Sequence, residues 1–261
     1  KVSIRVEMGP RTCNKCGKDS PHLRCHHRLS EEVEECGGKT SIRNRRGDQN
    51  RRRMGQRTSV PLSKIVETKR RSLGLNRIPE RIKAVKGLIS IAQTPEPIEK
   101  GILRARHGVS VFRDGTSRYD MSDVPLTHFK PNEIGTPWQR LAELGYSHDV
   151  FGEPLGSDEQ MLELLPQDFV ASRSARQHLL STCQFVDDLL KRFYKMEPFY
   201  EATEELDLVG HLGIGLAPHT SGGVLCRIIG WTNASAGYAH PLFHAAKRRN
   251  CDGDEDSLMM L

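Results

Sequence analysis

The sequence predicts a mixed α/β chain that opens with a small, metal-type cysteine module. Three observations carry that expectation. Four of the seven cysteines fall within the first 36 residues, starting with the pair Cys13-x-x-Cys16. Downstream, stretches with apolar residues every three to four positions alternate with short apolar runs bounded by glycine or proline. A hydrophobic fraction of 36% over 261 residues supplies a core for one to two domains. No apolar run is long enough to span a membrane, and no signal-peptide pattern opens the sequence. A net charge of +6 hints at a polyanionic partner and excludes little else.

Val2, Ile4, Val6 and Met8 alternate with polar residues, the pattern of a half-buried strand. Cys13, Cys16, Cys25 and Cys36 follow, and glycines come directly after Cys16 and Cys36. Four thiolates in this spacing predict a zinc ribbon with a tetrahedral, all-cysteine site, closed and therefore structural. The gap between Cys25 and Cys36 is long, so His26 or His27 is an alternative third or fourth ligand. From Lys39 to Arg57 eight basic residues face one acid, Asp48, which predicts a basic loop or linker. Such a loop either contacts DNA phosphates or is simply solvated.

Helical spacing marks Pro61 to Leu73, and an extended segment is expected over Ile82 to Ile91. Pro97 to His107 predicts a helix. Arg113-Asp114-Gly115, between Val109–Phe112 and Thr116–Tyr119, predicts a hairpin. Pro131 to Leu144 predicts one short helix, Gly152-Glu153 a turn, and Asp158 to Leu165 another helix. The clearest helix is Ser174 to Tyr194, capped by Ser172 or Ser174, with Cys183 on its apolar stripe. Gly210, Gly213 and Gly215 lack the strand–glycine–helix order of a nucleotide loop and predict close packing instead. Val224 to Trp231 predicts a short buried strand. His240 and His244 stand four apart without the acid of a zinc protease, so packing or phosphate contact is expected of them. The apolar end, Leu258 to Leu261, reads as the start of a helix in a fragment of a longer chain.

The most chemically pointed stretch is Asn250-Cys251-Asp252-Gly253-Asp254-Glu255-Asp256. Acids at alternate positions can converge on one point and need a cation to stay ionised together. An all-oxygen set suits Mg²⁺ or Mn²⁺. An EF-hand is disfavoured, because its sixth position wants glycine and here is Ser257. A solvated acidic turn is the plainer alternative. Lys247, Arg248, Arg249 and Asn250 stand just upstream as candidate phosphate and nucleic-acid contacts.

The run Lys247 to Asp256 resembles the catalytic segment of the large subunit of archaeal family D DNA polymerase (DNA polymerase II). So do Gly210-His211-Leu212, Leu216 to Ser221, Gly237 to Pro241 and His244 to Ala246. The similarity reaches back to Lys100–Ala105 and Asp123–Phe129. By resemblance, Asp252 and Asp254 match the family's two essential aspartates. Asp256 takes the third acidic place of the pattern shared with two-barrel RNA polymerases. The resemblance implies a double-psi β-barrel of the two-barrel polymerase type and Mg²⁺-dependent nucleotidyl transfer to a primer 3′-hydroxyl. It also implies primer-template DNA and dNTPs as substrates, and a small subunit carrying 3′–5′ exonuclease activity. A sliding clamp and a primase are compatible further partners, and the expected location is cytoplasmic and nucleoid-associated. The expected organisation is a zinc-ribbon-like module (1–42), a basic linker (43–60) and a mixed α/β connecting region (61–200). The last part, 201–261, is expected to be a piece of the catalytic barrel, truncated at its C-terminus. The rival expectations are a non-catalytic zinc-ribbon DNA-binding module and a two-barrel RNA polymerase relative.

Overall fold

The computed structural model describes residues 2–7, 11–20, 24–27, 35–42, 55–85, 96–218, 220, 222–250 and 253–261. The chain divides into two compact units, Lys1–Val66 and Glu67–Leu261.

In the first unit, strand β1 (Val2–Glu7) pairs antiparallel with β5 (Gly55–Val60), Val2 opposite Val60 and Glu7 opposite Gly55. The alternation at the start of the sequence therefore does mark a strand. Its partner lies inside the stretch 43–60 expected to be linker, where the basic residues mask the β-formers Thr58 and Val60. Residues 43–54 of that stretch lie outside the described residues. A second small sheet, ordered β3-β2-β4, joins β2 (Arg11–Cys13), β3 (Asp19–Ser20) and β4 (Thr40–Ile42). Helix α1 (Leu62–Ser72) forms where helical spacing predicts it and carries Lys69, Arg70 and Arg71 in its last turn, where cations complement the helix dipole.

The second unit is built around a closed six-stranded barrel in the order β10-β11-β9-β12-β6-β13. Its strands are β6 (Tyr119–Pro125), β9 (Asp168–Ser172), β10 (Leu212–Leu216), β11 (Val224–Thr232), β12 (Ala236–Ala239) and β13 (Glu255–Met260). β11–β9 and β12–β6 pair in parallel and the other four pairs are antiparallel, with β13 closing back onto β10. The barrel thus draws two strands from the segment 61–200 and four from 201–261. Trp231, Phe169, Ile228, Phe243 and Leu258 fill its core, joined by Leu179 and Cys183 from helix α5 (Arg176–Asp188). Glycine makes tight approaches possible at two places in the wall. A Cβ at Gly230, beside the register shift in the β11–β9 pair, would stand 2.8 Å from Ile134 O. One at Gly215 would stand 2.7 Å from the Phe243 ring.

Several expected elements change form. The single helix expected over Pro131–Leu144 is two, α3 (Pro131–Ile134) and α4 (Trp138–Glu143), because Gly135 turns left-handed at φ 65° and Pro137 follows. The helix expected over Asp158–Leu165 is not helical. Leu162 and Leu164 are buried while Glu163 and Leu165 are exposed, a period of two, and β8 (Leu162–Glu163) pairs with β7 (His128–Phe129). Asp158 there accepts a hydrogen bond from the Trp138 amide at the start of α4, 2.7 Å. At Arg113–Gly115 a turn forms, with the Phe112 amide donating to Thr116 O at 2.8 Å, but only Tyr119 onward enters a strand. Residues 82–85 have no regular structure, and 86–91 of that expected extended segment lie outside the described residues. Helix α2 (Ile98–Arg106) matches expectation. The long helix does too: a 3-10 turn at Arg173–Ala175, capped by the Ser172 hydroxyl, leads into α5 and then a π-helical turn, Leu189–Tyr194. The expected terminal helix is instead β13. A run of four apolar residues cannot separate helix from strand, and here Asp256 and Leu258 point inward in alternation.

Candidate functional site

Two charged clusters stand out, one in each unit. In the first, the Sγ atoms of Cys13, Cys16, Cys25 and Cys36 all lie within 4.8 Å of one another. Cys13 and Cys36 sulfurs are 3.7 Å apart and Cys16 and Cys25 sulfurs 3.5 Å. A tetrahedron with metal–sulfur bonds of about 2.3 Å has edges of about 3.8 Å, so the four thiols fit a zinc-sized cation. The chain closes on itself here through turns at Gly17 (φ 70°) and Gly37 (φ 60°). A Cβ at Gly38 would sit 2.6 Å from Cys13 Sγ, so only glycine lets the backbone come this near the sulfurs. The amides of Cys16 and Lys15 donate to Cys13 Sγ and hold that thiol down to about 6 against the effect of burial. Cys25 receives the same help from the His27 amide, yet burial and the neighbouring thiols push it up to about 12. Four ionised sulfurs this close require a cation. Neither candidate histidine is needed: His26 faces Glu35 at 2.6 Å and His27 Nε2 meets Asp19 O at 2.9 Å.

The second cluster sits in the barrel wall. Helix α6 (Pro241–Ala246) starts with Pro241, and the His240 ring caps it by accepting the Leu242 amide at 3.1 Å. Its far end delivers His244 and Lys247 inward. The stem of Lys247 runs past Phe243, its ammonium 4.7 Å from the ring centre, in the room left by Gly215. The ammonium ends buried between the carboxylates of Asp123, on β6, and Asp256, on β13, contacting Oδ2 of each. The Asp123 amide also donates to Asp254 O at 2.8 Å, fixing the end of the acid loop to β6.

Two carboxylates share this one buried ammonium, and their affinities for protons separate. Burial and the neighbouring Asp123 push the Asp256 carboxyl up to about 6. Burial would raise Asp123 as well, but the His244 ring, Asp256 and Lys247 beside it hold it down to about 2. His244 is fully buried, its Nδ1 3.3 Å from Asp123 Oδ2. Among the described residues, Asp123 Oδ1 and both ring nitrogens of His244 have no hydrogen-bond partner.

The structure distributes the predicted loop residues unevenly. Lys247, expected to hold phosphate, is instead buried and committed to two acids. Arg248 adopts φ 59°, is exposed, and has no ion-pair partner among the described residues. Arg249 bridges Asp254 (3.4 Å) and Asp256 (3.3 Å) and donates to Glu255 O. Asn250 is exposed. Cys251 and Asp252 lie outside the described residues. Gly253 turns the chain at φ 89°, and Asp254 follows with its carboxylate 39% exposed, while that of Asp256 is 4% exposed. Asp254 and Asp256 therefore do not play equivalent parts. Asp123 went unassigned in the sequence. The available signal was its place two residues after Met121, on the inward face of a strand, where an acid needs a buried partner.

A closed six-stranded barrel carries the acid-and-base loop, and four thiols that could hold a metal ion gather in the other unit, the combination of a barrel protein with a cysteine-ligand module. A profile of the family described as DNA polymerase II large subunit DP2, catalytic domain, matches residues 75–261, which take in the whole barrel and the acid loop. The chain is 50% identical over 273 aligned residues to the DNA polymerase II large subunit of Methanocella arvoryzae, covering 99% of the chain and 23% of that relative. It is 48% identical to the Archaeoglobus fulgidus large subunit, covering 100% of the chain and 23% of the relative. With the Pyrococcus furiosus large subunit the identity is 56%, over 70% of the chain and 14% of the relative. The chain belongs to the DNA polymerase II large subunit family, and it spans about a quarter of the length of the curated relatives it matches.

Proposed function

We propose that this chain carries the catalytic loop of a DNA-directed DNA polymerase and that the loop performs Mg²⁺-dependent transfer of a nucleotide to a primer 3′-hydroxyl. The observation that carries the reading is the placement of Asp254: a half-exposed carboxylate after a glycine turn, on a barrel inside the family-matched region. Hard carboxylate oxygens at an accessible turn suit Mg²⁺ or Mn²⁺, and Asp252 and Asp254 would hold the ion. When bound, the ion lowers the pKa of the attacking hydroxyl and neutralises charge on the phosphates. Arg248, exposed and without an ion-pair partner among the described residues, would meet phosphate. Arg249 steadies Asp254 from the side. The barrel, with its two parallel and four antiparallel pairs, is read as the double-psi type of the two-barrel polymerases. Cys13, Cys16, Cys25 and Cys36 hold a structural Zn²⁺, since four protein sulfurs leave no position open.

The substrates in this reading are primer-template DNA and dNTPs, and the enzyme works with a small subunit carrying the 3′–5′ exonuclease. A sliding clamp and a primase are further partners at the nucleoid. Among the described residues, no helix is long and apolar enough to cross a membrane. The test is primer extension by the full-length large subunit reconstituted with its small subunit. Asp252→Asn and Asp254→Asn are expected to abolish extension while DNA binding persists; normal extension by both would refute the reading.

A further inference from the structure

The proposed transfer gives the ion network beneath the acid loop no direct contact with the reacting groups, and its geometry describes a different task. The Lys247 side chain is 1% exposed, and its ammonium cannot reach a phosphate without leaving both acids. Asp256 has both oxygens engaged, Oδ2 with Lys247 and Oδ1 with Arg249. Asp123 grips the loop twice, through its carboxylate on Lys247 and through its amide on Asp254 O. These contacts tie the end of α6, strand β6 and strand β13 together at the two ends of the loop. Asp254 between them keeps an accessible carboxylate.

We propose that Asp123, Lys247 and Asp256 form a buried clamp that positions the acid loop, with Asp256 its anchor instead of a metal ligand and Lys247 a positioning residue instead of a phosphate contact. The inference rests on the reading of Asp252 and Asp254 as the metal-holding pair. Its physical basis is the cost of an uncompensated buried charge. Removing the lysine alone leaves two carboxylates facing each other out of water, whereas removing one acid along with it relieves that conflict. A loop released by about 1 Å would lose on the order of a hundredfold in rate.

The test uses the full-length large subunit with its small subunit and compares wild type, Lys247→Met, Asp256→Asn and the double variant. Two readouts are taken: amide exchange at Asp123 and residues 254–256, and primer extension as a function of Mg²⁺ concentration. Lys247→Met is expected to speed exchange at the Asp123 amide and to lower kcat about a hundredfold with DNA binding retained. Adding Asp256→Asn is expected to slow exchange again and recover about tenfold in kcat. Asp256→Asn alone is expected to leave the half-saturating Mg²⁺ concentration within about twofold of wild type, whereas Asp254→Asn abolishes extension at every Mg²⁺ concentration. If Lys247→Met does not fold, a folded double variant is the same rescue, and an unfolded double counts against the clamp. A double variant worse than either single, or an Asp256→Asn that raises the half-saturating Mg²⁺ concentration well beyond about twofold, overturns the proposal. Normal extension by Asp252→Asn and Asp254→Asn with the exchange pattern intact would remove the polymerase reading and leave the clamp. Abolished extension in those two, with Asp123 exchange unchanged in Lys247→Met, would do the reverse.

Discussion

The thiol knot and the barrel network both gather groups that repel one another, and they solve the problem in opposite ways. The cysteine cluster draws four soft ligands from residues 13–36 and could take its compensating charge from a metal ion. The barrel carries its own compensation: Lys247 reaches Asp123 across 124 positions of sequence and neutralises a pair that would otherwise not be buried. A metal-closed site can be local and small because the ion supplies the energy of folding. A self-compensated site needs a finished fold to bring its charges together. Removing one ligand from each region should therefore fail differently.

The largest effect is expected in the knot. Cys25→Ser should abolish zinc binding and cost on the order of 10 kcal/mol of metal-linked folding energy there, read by metal analysis and amide exchange over residues 11–42. Zinc retained at one equivalent would break the comparison. Next comes Lys247→Met, expected to cost about 4 kcal/mol in denaturant unfolding, with the Asp256→Asn double less destabilised. A lesser effect, about 3 kcal/mol, is expected from Glu96→Gln. That residue pairs with buried Arg104 at 2.5 and 2.7 Å, a self-compensated pair away from the acid loop. Burial would raise the Glu96 carboxyl, but the Arg104 guanidinium more than offsets it and holds it below the ordinary range. Its stabilisation is therefore fully present above the unfolded carboxylate value of about 4 and is lost as pH falls through the depressed folded value. Glu96→Gln should flatten that part of the pH–stability profile. The smallest change, about 2 kcal/mol, is expected from Gly237→Ala, whose new Cβ would stand 2.3 Å from Phe169 Cζ and 2.8 Å from Met121 Sδ inside the barrel.

The same contrast explains what could be read from the sequence. The four cysteines were legible because their ligand types and spacing are local, and helices α1, α2 and α5 because an apolar face repeats along them. Short segments were harder. Leu162 to Leu165 and Leu258 to Leu261 contain too few residues to show a period, so helix was expected where strands formed. The acid loop was legible as a motif, but the burial of Lys247 was not, since a lysine beside two arginines reads as surface charge. Asp123 was invisible as a site residue because its partners lie on β13 and α6, which only barrel closure brings near.

The proposed function requires two metal sites of different kinds, a closed one on the cysteines and an open one on the acid loop. The most direct measurement loads the full-length large subunit, with its small subunit and primer-template DNA, with zinc, then titrates Mn²⁺ as a spectroscopic stand-in for Mg²⁺ and follows it by electron paramagnetic resonance. Asp254→Asn is expected to eliminate the bound Mn²⁺ signal while one zinc per chain remains, and Cys25→Ser to do the opposite. Bound Mn²⁺ that persists unchanged in Asp254→Asn would contradict the proposed function.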